Sequence, residues 1–72
     1  MIRIKVKEIA RQKGLSQMRL AFIADVNMKT VQSIYQHPTE TNITLYTLDK
    51  LAKALGVNAS ELIESVYEEE GG

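Results

Sequence analysis

The stretch from residue 17 to residue 36, QMRLAFIADVNMKTVQSIYQ, contains two short amphipathic segments separated by a tight turn. Ser16 precedes the first segment and Asn27 precedes the second, and both residue types favour the N-cap of a helix. The small side chain of Ala21 allows the two segments to approach closely. Apolar residues that recur at helical spacing would fill the interface between them, namely Leu20, Ala24, Val26, Val31 and Ile34. The sequence therefore predicts a helix-turn-helix over residues 17–36.

Further helices are predicted on both sides of this motif. The first covers residues 5–13, and Gly14 follows it where a left-handed C-cap residue belongs. After a polar loop over residues 37–42, a fourth helix begins at Thr44 and ends at Gly56. The second helix is predicted to present Leu20, Ile23 and Ala24 on one apolar stripe.

The two ends of the domain carry weaker signals. Asn58 followed by Glu61 resembles a capping box, which predicts a short fifth helix. Between residues 2 and 6, apolar and basic residues alternate as in a β-strand. A lone strand is not stable, so it would need residues 63–67 or a second subunit as its partner. We expect an all-α, compact five-helix domain over residues 1–66, with a short N-terminal β-strand as an additional element.

Charge is distributed unevenly along the chain. Nine basic and nine acidic residues cancel overall, but residues 1–37 carry seven basic and two acidic residues, a net charge of +5. Residues 38–72 carry −5, and residues 67–72 are expected to form a flexible acidic tail. The basic half contains the helix-turn-helix and can face phosphate. The alternative is that these charges only cover solvated surfaces.

The face of the third helix that is predicted to be exposed carries neutral amides and hydroxyls with a single lysine. Such donors and acceptors suit base edges, whereas a merely solvated helix face more often carries Glu–Lys pairs. The residues of this face are Asn27, Met28, Lys29, Gln32, Ser33 and Gln36. The pattern favours DNA reading over an ordinary solvated helix of a bundle.

The sequence resembles the Cro and phage-repressor-like (XRE-type) helix-turn-helix regulators over about residues 6–63. The runs that carry the resemblance are KGLSQ at 13–17, LA at 20–21, VNMKTV at 26–31 and LDKLAKALGV at 48–57. The resemblance implies a lambda-repressor-like fold and a transcriptional regulator, with repression expected, that binds double-stranded DNA.

It also implies roles for single residues. Base reading is implied for Met28, Lys29, Gln32 and Ser33, and lysine is a donor to guanine O6 or N7. Gln17 at a helix start suits phosphate, because the free N–H groups there attract anions. Phosphate contacts are expected at Gln17, Arg19, Asn27, Thr30, Asn42, Thr44, Leu45 and Arg11. Those at Asn42, Thr44 and Leu45 would use main-chain amides.

The chain departs from the family pattern in the turn and between two helices. The family usually has glycine in the turn, where this chain has Asp25. Aspartate tolerates a left-handed backbone better than most residues, so we expect the turn to be kept. Many members pair an arginine with a glutamate where this chain has Ala10 and Tyr35, and we expect a hydrophobic contact there instead.

One domain contacts only a short half-site, so a homodimer on a palindromic operator is expected, with recognition helices about 34 Å apart. The rival interpretation is a protein-interaction module, such as an antitoxin or an adaptor with the same fold, and the acidic half supports it. No catalytic constellation, metal site or cofactor motif stands out, and an enzyme acting on a small molecule is not expected. The only histidine, His37, is expected to be an exposed loop or helix-end residue.

The amino-acid composition also bears on the cellular compartment in which the protein is expected. The chain has no cysteine, and it has no apolar run near the roughly 18 residues of a membrane span. No signal-peptide pattern opens it. We expect a cytoplasmic protein associated with the nucleoid and with no membrane partner.

Overall fold

A computed structural model describes residues 1–67, which form four α-helices, one 3-10 helix and a two-stranded sheet. In chain order the elements are β1 (Ile2–Ile4), α1 (Val6–Gln12), α2 (Gln17–Ala24), α3 (Met28–Gln36), α4 (Leu45–Leu55), the 3-10 helix (Ala59–Leu62) and β2 (Ile63–Ser65). The helix-turn-helix predicted from the sequence corresponds to α2 and α3. None of the helices within the described range is long and apolar enough to cross a membrane.

The prediction of five helices in an all-α fold was wrong in one place. The capping box at Asn58 is present, and the Glu61 carboxylate accepts a hydrogen bond from the Asn58 amide at 2.9 Å. It starts only a four-residue 3-10 helix, because Ile63 turns into extended backbone and enters β2. Pairing with β1 therefore ends the helix after a single turn.

The first strand finds its partner within its own chain. β1 and β2 run antiparallel, with Arg3 opposite Glu64 and Ile4 opposite Ile63. At the end of the sheet the Lys5 amide donates to the Leu62 carbonyl at 2.7 Å. Of the two partners that the sequence left open, the structure contains the segment that begins at Ile63.

The core is built from small and branched apolar side chains of every helix and of β1. The residues buried in it are Ile4, Val6, Ala10, Leu20, Ala21, Ala24, Val31, Ile34, Leu48, Leu51, Ala52, Leu55 and Leu62. Ile23, which was predicted to lie on the buried stripe of α2, is 48% exposed. Since α2 is covered through Leu20, Ala21 and Ala24, Ile23 falls at the margin of that contact.

Three helices end in the same way. Gly14, Asp25 and Gly56 each follow or end a helix with a positive φ, and the next residue donates back into the helix. After α2, for example, the Val26 amide donates to the Ala21 carbonyl at 3.0 Å. These are the turns expected of a left-handed C-terminal residue, and they confirm that Asp25 takes the place of a glycine. Of the predicted acidic tail, Tyr67 is exposed, and residues 68–72 lie outside the described part of the chain.

Candidate nucleic-acid interface

Helix α3 is held by one face and exposes the other. Val31 and Ile34 are fully buried, while Lys29 and Gln32 are exposed. At its start, the Asn27 side chain accepts a hydrogen bond from the Lys29 amide at 2.8 Å, which fixes the first turn. Because side chains four residues apart share a helix face, Lys29 and Ser33 follow one another along the exposed side. The sequence-predicted polar face is therefore present on α3.

The four residues expected to read bases do not have equal freedom. Lys29 and Gln32 extend into solvent, whereas Met28 and Ser33 are half-buried. Met28 packs against the core, so only part of its side chain is available to a ligand. The structure thus presents Lys29 and Gln32 most openly.

The starts of α2 and α4 have the same construction. Ser16 accepts a hydrogen bond from the Arg19 amide at 3.2 Å, and Thr44 accepts one from the Thr47 amide at 3.1 Å. The first amides of a helix have no acceptor within it, so those of Gln17 and Leu45 can bind an anion. Gln17 is half-buried, and Arg19, Thr44 and the side chain of Leu45 are exposed. Each helix therefore presents donors suited to phosphate.

The loop between α3 and α4 is fastened to the end of α3. The Thr41 hydroxyl lies 2.9 Å from the Ser33 carbonyl and 2.7 Å from the His37 carbonyl. Ser33 lies in the last turn of α3 and His37 is its C-cap, so the hydroxyl adds a second donor to carbonyls that already accept main-chain amides at the helix end. Asn42, which follows directly, is exposed. Thr41 thus fixes the path along which the loop leaves the recognition helix.

Lys50 of α4 fastens the turn between α2 and α3. Its ammonium group donates to the main-chain carbonyl of Asp25 at 3.2 Å and lies 3.9 Å from the Asp25 carboxylate. The same group lies 4.7 Å from the centre of the Tyr46 ring, within the range of a cation–π contact. The left-handed turn is thereby linked to a third helix, and Tyr46 packs under a cation although its side chain remains largely exposed.

Between α1 and α3, Tyr35 occupies the place where many family members have an ion pair. Its hydroxyl oxygen is shielded from solvent and has no hydrogen-bond partner among the described residues. Burial raises the pKa of Tyr35, the nearby Arg11 lowers it and Glu8 raises it. Tyr35 packs against the hydrophobic core, of which Ala10 is a member. A direct contact between the two side chains stays a prediction.

Positive charge is left unpaired on the helix-turn-helix half. Six of the seven basic residues in positions 1–37 make no ion pair with a carboxylate of residues 1–67, namely Lys5, Lys7, Arg11, Lys13, Arg19 and Lys29. Arg3 is the exception, since it contacts Glu8 and Glu64. The cations of the other half, Lys50 and Lys53, both face carboxylates. The surface around α1 to α3 is therefore the one that attracts an anion.

Comparison with known proteins decides the family. The sequence profile of the Cro/C1-type HTH DNA-binding domain matches residues 5–68, nearly the whole chain. The chain belongs to this family. Among solved structures, this Cro/C1-type domain is similar to the restriction-modification controller protein C.AhdI from Aeromonas hydrophila, with a TM-score of 0.70 and 32% identity. The match covers 79% of this chain and 83% of that one. Among curated protein sequences, none is significantly similar.

The protein is thus a DNA-binding helix-turn-helix transcription regulator of the Cro/C1 type.

Sequence reasoning missed two residues that shape this Cro/C1-type domain, Thr41 and Lys50. Both act on main-chain carbonyls, Thr41 at the end of α3 and Lys50 on the turn 25 residues before it, and a carbonyl leaves no signature in a sequence. The only signal was indirect, since a threonine in a polar loop and a lysine on α4 are also ordinary surface residues.

Proposed function

We propose that this regulator represses transcription by binding a specific double-stranded DNA sequence through α3, as a homodimer on a palindromic operator. One observation carries the proposal. Helix α3 presents a row of amide, hydroxyl and ammonium groups on one face, and on its opposite face the side chains of Val31 and Ile34 are fully buried. A helix anchored in this way can hold its side chains rigidly against base edges in the major groove.

The roles of individual residues follow from their exposure and chemistry. Lys29 donates to guanine O6 or N7, and Gln32 has the paired donor and acceptor that suit adenine. The Ser33 hydroxyl can donate or accept a hydrogen bond, so it suits more than one base. The exposed part of Met28 contacts a thymine methyl group. Lys29 and Gln32, which are exposed, carry most of the sequence preference.

The remaining predicted contacts orient the domain on the phosphate backbone. The amide and side chain of Gln17, with Arg19, bind phosphate at the start of α2. Main-chain amides from Asn42 to Leu45 bind a second phosphate at the start of α4. The remaining phosphate contacts come from Arg11 on α1 and from Asn27 and Thr30 beside the recognition face.

Repression requires only that the bound protein occupies its operator and excludes other proteins from it. The resemblance to a protein described as a restriction-modification controller supports a regulatory role. A palindromic site follows from homodimerisation, because a twofold protein repeats its contacts on the two half-sites. Fusing a promoter that carries the selected site to a reporter tests the direction of regulation, and the proposal expects reporter output to fall.

Selection of bound sites from a random duplex pool tests DNA reading most directly. We expect an enriched palindrome and an affinity that falls steeply as salt rises. Lys29→Ala should change the preferred base at one position of each half-site, with a loss of about 1–3 kcal/mol on the original site. Arg11→Ala should weaken all sequences alike and lower the salt slope by about one for each half-site bound.

Lys53→Ala is a matched control, because this lysine is paired with Asp49 at 3.2 Å and lies outside the proposed interface. It should leave both the preferred site and the salt slope unchanged. If the wild-type protein binds no duplex at low salt, the proposal is wrong and a protein-interaction module such as an antitoxin or adaptor is favoured. An unchanged site preference in Lys29→Ala would contradict the role of α3.

A further inference from the structure

The C-terminal end of α2 has no cation of its own. The last turn of a helix presents carbonyl oxygens without helical partners and a partial negative charge, which a nearby cation stabilises. None of the residues in the last turn of α2 is basic. The cation comes instead from α4, where the Lys50 ammonium group donates to the carbonyl of the C-cap residue Asp25 at 3.2 Å. Lys50 therefore caps a helix that ends 25 residues before it in the sequence.

The side chain of Lys50 is held in place on two sides. It is only 28% exposed, whereas that of Lys53 on the same helix is 78% exposed. The Tyr46 ring lies 4.7 Å from the ammonium group, and the two residues share a face of α4 because they are four positions apart. The Asp25 carboxylate, at 3.9 Å and 97% exposed, adds little. The main contact of Lys50 with the turn is therefore its hydrogen bond to the main-chain carbonyl.

The turn that Lys50 holds leads directly into the first turn of α3. Asn27 caps this helix, and Met28 and Lys29, the first two residues expected to read bases, follow it. Met28 is only half-buried, and Val31 is the first residue of α3 that is fully buried. The direction of the first turn of α3 therefore depends on where the preceding turn is held.

The expected phosphate contacts depend on a different part of the structure. Those at the starts of α2 and α4 are supplied by two helices that pack directly against each other. Both helices bury apolar side chains in the same core, among them Leu20 of α2 and Leu51 of α4. Since this packing does not use the ammonium group of Lys50, its loss should disturb the start of α3 and leave these phosphate contacts in place.

We infer that Lys50 is a positioning residue for base reading, which holds the first turn of α3 in the arrangement that Lys29 needs to reach a base edge. The inference rests on the proposed function, in which α3 enters the major groove, and it assigns a part in sequence preference to a residue that does not itself touch DNA. A hydrogen bond from a charged donor favours one arrangement by about 10-fold or more. Apparent affinity falls by the fraction of molecules that lose the binding arrangement, so the operator should be bound about 10-fold more weakly without this bond.

Binding to the operator and to an unrelated duplex of the same length tests the inference. The operator is the palindrome selected with the wild-type protein. Lys50→Met keeps the aliphatic stem, and it should bind the operator about 10-fold more weakly and the unrelated duplex within about 2-fold of wild type. Its salt slope should be unchanged, because no phosphate contact is lost. Lys50→Arg keeps a charged donor and should restore most of the operator affinity.

The position at which preference is lost is a second readout. Site selection with Lys50→Met should relax the preferred base at the position that Lys29→Ala alters, since both variants lose the same contact. The bases assigned to Gln32 and Ser33 should keep their preference, because these residues follow the fully buried Val31. A general loss of stability would not relax one position of the half-site and spare the others.

Lys53→Met and Asp25→Asn are the matched controls. Lys53 lies on the same helix but pairs with Asp49 rather than with the turn. Asp25→Asn removes the carboxylate charge and keeps the main-chain carbonyl, and asparagine tolerates the left-handed backbone. Both variants should bind the operator as wild type does. Circular dichroism at the assay temperature gives the folded fraction of each variant, by which its affinity is corrected.

Three results would overturn the inference. They are an unchanged operator affinity in Lys50→Met, an equal loss on the operator and the unrelated duplex, and a salt slope lower by about one for each half-site, which would make Lys50 a direct phosphate contact. Each leaves the proposed function standing as long as the wild-type protein selects a palindrome. If the wild-type protein binds no duplex, the proposed function itself is refuted, and the inference with it.

Discussion

Replacing Asp25 by glycine should stabilise the protein, although it removes a residue that contacts α4. Asp25 has φ 56 and ψ 47, in the left-handed region that a side chain disfavours. Its carboxylate is almost fully exposed and lies 3.9 Å from the Lys50 ammonium group, too far for a hydrogen bond. The close contact of Lys50 is to the main-chain carbonyl, and glycine keeps that group.

The size of the effect follows from two opposing contributions. A left-handed backbone costs a residue with a Cβ about 1–2 kcal/mol, and somewhat less for aspartate. Glycine removes this cost but gains about 0.4–1 kcal/mol of conformational freedom in the unfolded chain. The net expectation is that Asp25→Gly raises the free energy of unfolding by about 0.5 kcal/mol, whereas Asp25→Ala lowers it by a similar amount. The two variants should then differ in Tm by about 4–8 °C, as expected for 1 kcal/mol in a domain of this size.

Gly56→Ala provides an internal standard for the backbone cost. Gly56 has φ 68, and a Cβ added there would meet no atom within 4 Å. Its substitution should therefore lower the free energy of unfolding by about 1 kcal/mol through the backbone alone. Urea titration monitored by circular dichroism measures all three variants on the same scale.

A lower stability of Asp25→Gly, together with the expected loss in Gly56→Ala, would refute this reasoning. It would mean that the Asp25 carboxylate contributes more than its exposure and its distance from Lys50 allow. Equal stability of the glycine and alanine variants would also contradict it, because the turn would then not need a left-handed residue.

Two further substitutions test features that the sequence did not reveal, one a hydroxyl without a partner and the other a hydrogen bond between distant residues. Tyr35→Phe removes a shielded hydroxyl without a partner among residues 1–67, and it should raise the free energy of unfolding by about 1 kcal/mol at pH 7. Because burial raises the pKa of Tyr35, wild-type stability should also fall as pH rises above the ordinary value of 10.0, where the unfolded chain releases the proton first, and urea titrations across that range should show a smaller fall in the variant. Lys50→Met keeps the aliphatic stem but removes the hydrogen bond to the Asp25 carbonyl, so it should cost about 1 kcal/mol and speed hydrogen exchange at the Val26 amide. Unchanged exchange in Lys50→Met would contradict the hydrogen bond from Lys50, and a less stable Tyr35→Phe would contradict the burial of a hydroxyl without a partner.

Much of the fold was predictable because its signals are local. N-caps such as Ser16 and Asn27 depend on a side chain accepting a hydrogen bond from an amide two or three residues away, and both predicted caps are present. Thr44, predicted as the first residue of the fourth helix, is the N-cap of α4. Gly14 and Gly56 likewise end helices through their own backbone freedom. A pattern that spans only a few residues is fully contained in the sequence.

The errors arose where a distant segment changed a local preference. The capping box at Asn58 correctly predicts a helix start, but its length was set by β1, which draws Ile63 into a sheet. Ile23 has the spacing of a core residue, yet the neighbours of α2 do not reach that side of the helix. Neither outcome depends on the residues next to it in the chain.

In the candidate DNA interface, too, the local features could be predicted and the long-range ones could not. The polar character of the α3 face, from Asn27 to Gln36, could be identified from helical spacing alone. The unequal exposure of its members could not, because the burial of Met28 and the hold of Thr41 on the end of α3 depend on other segments.

The sequence by itself therefore determined the helix-turn-helix, its caps, its left-handed turn at Asp25 and the excess of positive charge around it. Only the tertiary structure decided that β1 pairs with β2 and that Lys50 holds the turn. The physical reason is the range of the interactions. Caps and helical periodicity act over one or two turns, whereas the Lys50 hydrogen bond joins residues 25 apart and the strand pairs join residues 59 to 63 apart.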